Sequence, residues 1–177
     1  MESTTVLLLP GLWNSGPDHW QSHWEAAFPI CKRVVQHDWE TPRAEDWIER
    51  LQEQITAMQA PVVLAAHSLG CALVARWAQV HGKGVDAALL VAPSDTEAPS
   101  YPSGTTGFVP MPLQRLPFRS IVAASTDDPY VSLERARFFA QAWGAQFHCV
   151  GPKGHIGTAA KLGMWDEGLD LLQRLRA

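Results

Sequence analysis

The strongest constraint on the fold is a change of hydrophobic period that repeats along the chain. Short apolar runs end in polar turns, and stretches with helical spacing follow all but one of them. The runs are residues 4–9 (TTVLLL), 31–36 (CKRVVQ), 62–66 (VVLAA), 87–92 (AALLVA), 120–125 (SIVAAS) and 146–151 (QFHCVG). Between them the spacing predicts helices over 17–28, 43–59, 69–80 and 132–143, with a last one over 164–175. Pro17 suits a first helical turn, and Gly144 suits a left-handed cap after the fourth helix. Trp47, Leu51, Ile55 and Met58 share one face of the second. Only 93–117 breaks the rhythm, with six prolines among Ser, Thr and Gly, too irregular for a helix or an inner strand.

Apolar runs without strict alternation predict strands buried on both faces, and so a parallel sheet covered by helices on each side. Six strands are too few for a closed eight-stranded barrel. The expected fold class is therefore α/β: a three-layer, open, six-stranded parallel sheet within one domain over 1–177. In such sheets sites form beyond the carboxyl ends of the strands, which directs attention to the post-strand segments PGLWNSG, HSLG, APSD, TDDPYV and GPKGHIG.

Composition narrows the function classes. A hydrophobic fraction of 46% and a charged fraction of 18% describe a globular protein. The net charge of −4, with acids and bases interspersed, lacks the basic stripe of a nucleic-acid binder. No apolar run has the length of a membrane span. Glu2 stands where a secretory leader carries basic residues, so the first apolar run reads as a strand rather than a targeting signal. Cys31, Cys71 and Cys149 are odd in number and widely spaced, which suggests free thiols in a reducing compartment and a cytoplasmic location. Without a CxxC pair a cysteine zinc site is not expected. His19 and His23 stand four apart on a helix but lack a third ligand, so no metal is assigned. Eight tryptophans must mostly pack in the core or line a cleft. Trp13 and Trp39 follow the first two strands and are candidates to wall a cleft. Phe108, Val109 and Met111 form an apolar stretch that would either receive an acyl chain or cover the sheet.

The third strand ends in Ala66-His67-Ser68-Leu69-Gly70, a small-x-Ser-x-Gly pattern at a strand-to-helix junction. A serine in such a turn is lifted beside a helix N-terminus, where free amides favour developing negative charge. The alternative is an ordinary helix N-cap. A serine nucleophile needs a base, and the base needs an orienting acid. Among the seven histidines, His81 ends a helix, His148 lies within a strand and His37 belongs to a polar loop. The side chain of His67 is expected to project away across the turn. His155, in the glycine-flanked loop after the last strand, is the best-placed base. Asp127 and Asp128 both follow the fifth strand, and spacing does not separate them. The resulting order, serine then acid then histidine, is the one used on α/β-hydrolase sheets. For an oxyanion hole the expected donors are the backbone amides of Leu69 and Leu12, with Trp13 the runner-up.

The segments LLPGLWNSGPDHWQSHWE, QHDWETP, AHSLGC, LLVAPSD, ASTDDPYVSLERARFFAQAWGA, GHIG and GMWDEG together resemble small single-domain serine hydrolases related to retinoblastoma-binding protein 9. The likeness spans nearly the whole chain. It implies a minimal α/β-hydrolase fold without a helical lid, a nucleophile at Ser68, an acid at Asp128 and a base at His155. It also implies hydrolysis of a small-molecule acyl substrate with no cofactor. The rival expectation is a protein-binding module on a hydrolase scaffold, with exposed Trp and Pro-rich segments as the docking surface.

Overall fold

The computed structural model describes residues 4–177; Glu2, on which the argument about a leader rests, lies outside them. Six parallel strands form one sheet in the order β2-β1-β3-β4-β5-β6. They are β1 (Val6–Leu9), β2 (Cys31–Arg33), β3 (Val62–His67), β4 (Val85–Val91), β5 (Arg119–Ala124) and β6 (Gln146–Cys149). Five α-helices connect and flank them: α1 (Trp20–Ala27), α2 (Ala44–Ala57), α3 (Leu69–Val80), α4 (Leu133–Trp143) and α5 (Asp166–Arg176).

Side-chain alternation along the strands divides the interior into two cores. On β1, Leu7 and Leu9 pack with Trp47, Leu51 and Ile55 of α2, Trp77 of α3 and Phe139 of α4. Val6 and Leu8 face the other way, toward Trp20 and Trp24 of α1 and Leu171, Leu172 and Leu175 of α5. Both faces of the sheet are thus covered, and all six residues of β3 are buried, as a run without polar alternation requires.

Several element boundaries differ from the sequence expectation. α1 begins at Trp20 rather than at residue 17, because the chain first makes a turn closed by His19 N–H to Gly16 O at 3.1 Å. His19 then caps the helix, its Nδ1 accepting from the Gln21 amide at 3.1 Å. Pro17 therefore lies in the turn before the helix. β2 is three residues long rather than six, and α5 starts only after Trp165. α3 and α4 lie within a residue of expectation, and α4 ends on Gly144 at φ 69°.

The proline-rich segment between β4 and β5 contains no helix among the described residues. It is bound down against the α2–α4 side of the molecule. Phe108, Met111 and Leu116 are buried there. Trp143 Nε1–H donates to Pro112 O at 2.7 Å. The Arg135 guanidinium on α4 binds both oxygens of Asp95, at 2.9 and 3.2 Å.

The site end of the sheet depends on how closely α3 approaches β1. A Cβ on Gly70 would sit 2.4 Å from Leu9 O, so only glycine permits this contact between backbones. Gly70→Ala should lower stability by about 2–3 kcal/mol through overpacking against backbone that cannot rotate aside. The measurement is a urea unfolding midpoint, which should drop with the slope unchanged.

Candidate active site

Ser68 joins β3 to α3 at φ 59° and ψ −122°, a strained conformation for a residue with a side chain. Its amide donates to Val91 O on β4 at 2.9 Å and its carbonyl accepts from Cys71 N–H at 3.0 Å, so the turn is held on both sides. The hydroxyl makes no capping bond to α3. It points away from the helix, 2.8 Å from His155 Nε2 and 2.7 Å from the hydroxyl of Ser94. The N-cap alternative is thereby replaced by a different arrangement.

The two aspartates after β5 have separate partners. Both carboxylate oxygens of Asp128 lie 2.9 Å from His155 Nδ1, and Oδ1 also accepts from the Tyr130 amide at 2.8 Å. The Asp128 side chain has no exposed surface, against 19% for His155. Asp127 instead braces the loop that carries the imidazole. Its Oδ1 accepts from the Gly154 amide at 2.8 Å and from Ser125 Oγ at 2.7 Å, and Ser125 Oγ accepts from Lys153 N–H at 2.9 Å. The Ser125 hydroxyl, and then the Gly154 amide, hold the Asp127 carboxyl below its usual pKa.

His155 itself sits between Gly154 at φ 57° and Ile156 at φ 51°. Left-handed backbone is rare for a β-branched residue, and neighbours fix it here. Trp20 Nε1–H donates to Ile156 O at 3.0 Å. His67 Nε2 lies 2.8 Å from His155 O. Because a carbonyl only accepts, His67 must carry its proton on Nε2. The side chain of His67 therefore does not project away from the site; it reaches under the His155 loop. Its ring lies edge-on to His19 at 4.7 Å between centroids. Burial, then the fields of His19 and His155, push the His67 pKa well below its normal value. Burial likewise lowers His19 to about 3, with smaller contributions from Arg33, His155 and His23. His19 Nε2 is buried without a hydrogen-bond partner.

The backbone amides of Leu12 and Leu69 have no partner among the described residues. Gly11 brings the two segments together: a Cβ there would lie 2.8 Å from Ser68 Cβ and 3.1 Å from Leu69 N. The runner-up donor is already engaged, since Trp13 N–H donates to Trp39 O at 2.9 Å.

A cavity of about 710 Å³ opens over Ser68 and His155, walled by Trp13, Tyr101, Pro102 and Tyr130 with Lys153 at its margin. Trp13 is 60% exposed. Trp39 and Phe108, both candidates for a cleft wall, do not line this cavity; for Phe108 the structure shows the alternative, an apolar residue covering the sheet. Both rings pack on Trp47, at 5.5 Å and 5.7 Å between centroids, and Phe108 is wholly buried. Ser94, Tyr130 and the structural parts of Ser125 and His67 were not legible as site residues. Position after a strand end is the only sequence signal Ser94 offers. Of the other histidines, His148 pairs with Glu167 at 2.9 Å, His81 stacks on Trp77 and His37 is exposed. Cys31 and Cys71 are buried free thiols and Cys149 is exposed.

Residues 6–174 match a protein family described as serine hydrolase. Among solved structures, a YdeN-like hydrolase from Pectobacterium atrosepticum is 30% identical, with a TM-score of 0.85 over 98% of this chain and 93% of that one. The YdeN gene product of B. subtilis superimposes with a TM-score of 0.75 at 20% identity, covering 98% of each chain. The monoacylglycerol lipase of Paleococcus ferrophilus shares the fold at 12% identity, with a TM-score of 0.71 over 98% of this chain and 95% of that one. No curated protein matches the chain. No helix among the described residues is long and apolar enough to cross a membrane.

The two buried histidines predict a pH dependence of folding. Their folded pKa values are lowered, so the unfolded chain takes up protons first as pH falls below about 6.5. Stability should be full above that value and drop as pH goes from 7 to 5, by up to about 2 kcal/mol per histidine. Denaturant melts at the two pH values measure the loss, which should shrink in His67→Gln.

Proposed function

The chain belongs to the serine hydrolase family, and from that premise we propose that it cleaves a small ester, thioester or amide through an acyl-enzyme on Ser68. The carrying observation is the unbroken chain from Ser68 Oγ through the His155 imidazole to the buried Asp128 carboxylate. Asp128 accepts from Nδ1–H, which leaves Nε2 as the acceptor for the serine proton. His155 takes that proton as Ser68 Oγ attacks the substrate carbonyl carbon. The carbonyl oxygen gains charge and is met by the Leu12 and Leu69 amides, fixed dipoles that need no reorganisation. His155 then protonates the leaving group. Water hydrolyses the acyl-enzyme by the same route in reverse roles.

This assigns Ser68, Asp128 and His155 as catalytic residues and Trp13 as a wall for the acyl group. The cavity suits an apolar or aromatic acyl portion, since Trp13, Tyr101 and Tyr130 all line it. The absence of an inserted helix between β4 and β5 favours small, soluble substrates that enter from solvent without an opening step. Within the wider family, the resemblance to relatives of retinoblastoma-binding protein 9 and an esterase-like preference belong to this proposal, as do a single domain and a cytoplasmic location. Every proton and charge in the cycle is handled by groups of the chain itself. The rival reading, a binding module with idle machinery, is disfavoured by the aligned Ser68, His155 and Asp128 side chains, since docking a protein needs no base hydrogen-bonded to a serine hydroxyl.

A fluorophosphonate should label wild-type protein at Ser68, and Ser68→Ala should lose both the label and at least about 10⁴-fold of its turnover of p-nitrophenyl acetate. Unlabelled Ser68 under conditions that label a control hydrolase would overturn the proposal. Gly11→Ala should cost about 10²-fold in kcat on the same ester, because its methyl group intrudes between the nucleophile and the Leu69 amide. Thermal melting checks that the variant is folded.

A further inference from the structure

Ser94 closes the APSD turn after β4, and its placement is specific. Ala92, two residues earlier, is buried at φ 48°, an uncommon conformation for alanine that redirects the chain at the strand end. Asp95, the next residue, is fastened by its amide to Tyr130 O at 3.2 Å and by its carboxylate to Arg135. Ser94 is 1% exposed. Its hydroxyl has one hydrogen-bond partner among the described residues, the oxygen of Ser68 at 2.7 Å.

Proton counting orients this bond. With Nδ1–H of His155 given to Asp128, Nε2 accepts the only proton of Ser68. The Ser94 hydroxyl must then be the donor, and the Ser68 oxygen receives a hydrogen bond from it. We propose that Ser94 is a catalytic residue for the second half of the reaction, the hydrolysis of the acyl-enzyme; this rests on the serine hydrolase reading given above. In the free enzyme the bond is already strong, because a hydroxyl oxygen accepts well, so it changes little as Ser68 attacks. In the acyl-enzyme the Ser68 oxygen is an ester oxygen whose lone pair is drawn into the carbonyl, and it accepts poorly. Water then attacks the acyl carbon and gives a proton to His155 Nε2. The Ser68 oxygen regains its lone pair as the centre becomes tetrahedral. The bond from carbon to that oxygen breaks, His155 returns the proton to it, and the acid leaves with the oxygen of the water. The Ser94 donor strengthens throughout this sequence, and an interaction stronger in the transition state than in the ground state accelerates the step.

Single-turnover experiments with enzyme in excess over p-nitrophenyl acetate separate the two halves. Release of p-nitrophenol reports acylation, and acid-quenched mass spectrometry of Ser68 reports the decay of the acyl-enzyme. Active sites are counted with a fluorophosphonate. Ser94→Ala should still be labelled and should acylate within about threefold of wild type, while deacylation slows about tenfold, the loss of one hydrogen bond made mainly in the transition state. Ser94→Cys fills nearly the same volume with a weak donor and carries the same test if the alanine variant does not fold. Deacylation unchanged, or both halves slowed equally, overturns the role of Ser94 and leaves the serine nucleophile intact. A wild-type protein that neither takes the label nor forms acyl-Ser68 overturns the nucleophile and Ser94 with it.

Discussion

The contact between the end of β1 and the start of α3 is the one on which the site end of this molecule depends. Two glycines, one on each segment, let backbone meet backbone. Gly70 lies against Leu9 O, and Gly11 lies against Ser68 Cβ and Leu69 N. A side chain at either position would part the segments. The parallel sheet supplies the rest. Because all strands run the same way, the ends of β3, β4, β5 and β6 bring Ser68, Ser94, Asp128 and His155 to one edge without any long insertion.

The fold was largely legible because strands buried on two faces leave an unmistakable run of apolar residues, and all six were found at or near their observed positions. Boundaries failed where a local hydrogen bond decided them. A proline before a helical pattern signals a first turn, yet the imidazole of His19 captured the Gln21 amide and moved the start to Trp20. In the site, the order of serine, acid and histidine was readable from strand ends alone. What each neighbour does was not. Asp127 and Asp128 are adjacent and chemically identical, and only the turn conformation sends one carboxylate to the imidazole and the other to the Gly154 amide. Trp39 and Phe108 carry the composition of a cleft wall, but Trp47 stands behind both and draws them into the core. Ser94 offers no motif, since its significance is a distance to a residue 26 positions away.

The His155 loop shows how a glycine-containing segment is fastened to its surroundings. Three consecutive residues are each tied to a different part of the fold: Gly154 by Asp127 after β5, His155 by His67 at the end of β3, and Ile156 by Trp20 of α1. The bonds go to backbone atoms, so they set the position of the loop without occupying the imidazole, whose two nitrogens remain free for Asp128 and Ser68. The general base proposed for this site has to hold its geometry to within a fraction of an ångström for proton transfer to be efficient, and bracing through the main chain serves that need on a loop.

The same arrangement also controls charge. In the proposed cycle His155 becomes an imidazolium each time it takes a proton. The ring of His67 lies 4.9 Å from it, and that of His19 4.7 Å from His67. If either were protonated, its positive charge would oppose the imidazolium. Burial keeps both neutral. Asp128, fully enclosed beside Nδ1, is left as the one charge in direct contact with the ring, and it matches the cation that forms. In the same proposal the oxyanion is met by amide dipoles instead of a second cation. Charge therefore appears and disappears only along the line from Asp128 to the substrate carbonyl, and the histidines packed around that line act by remaining uncharged.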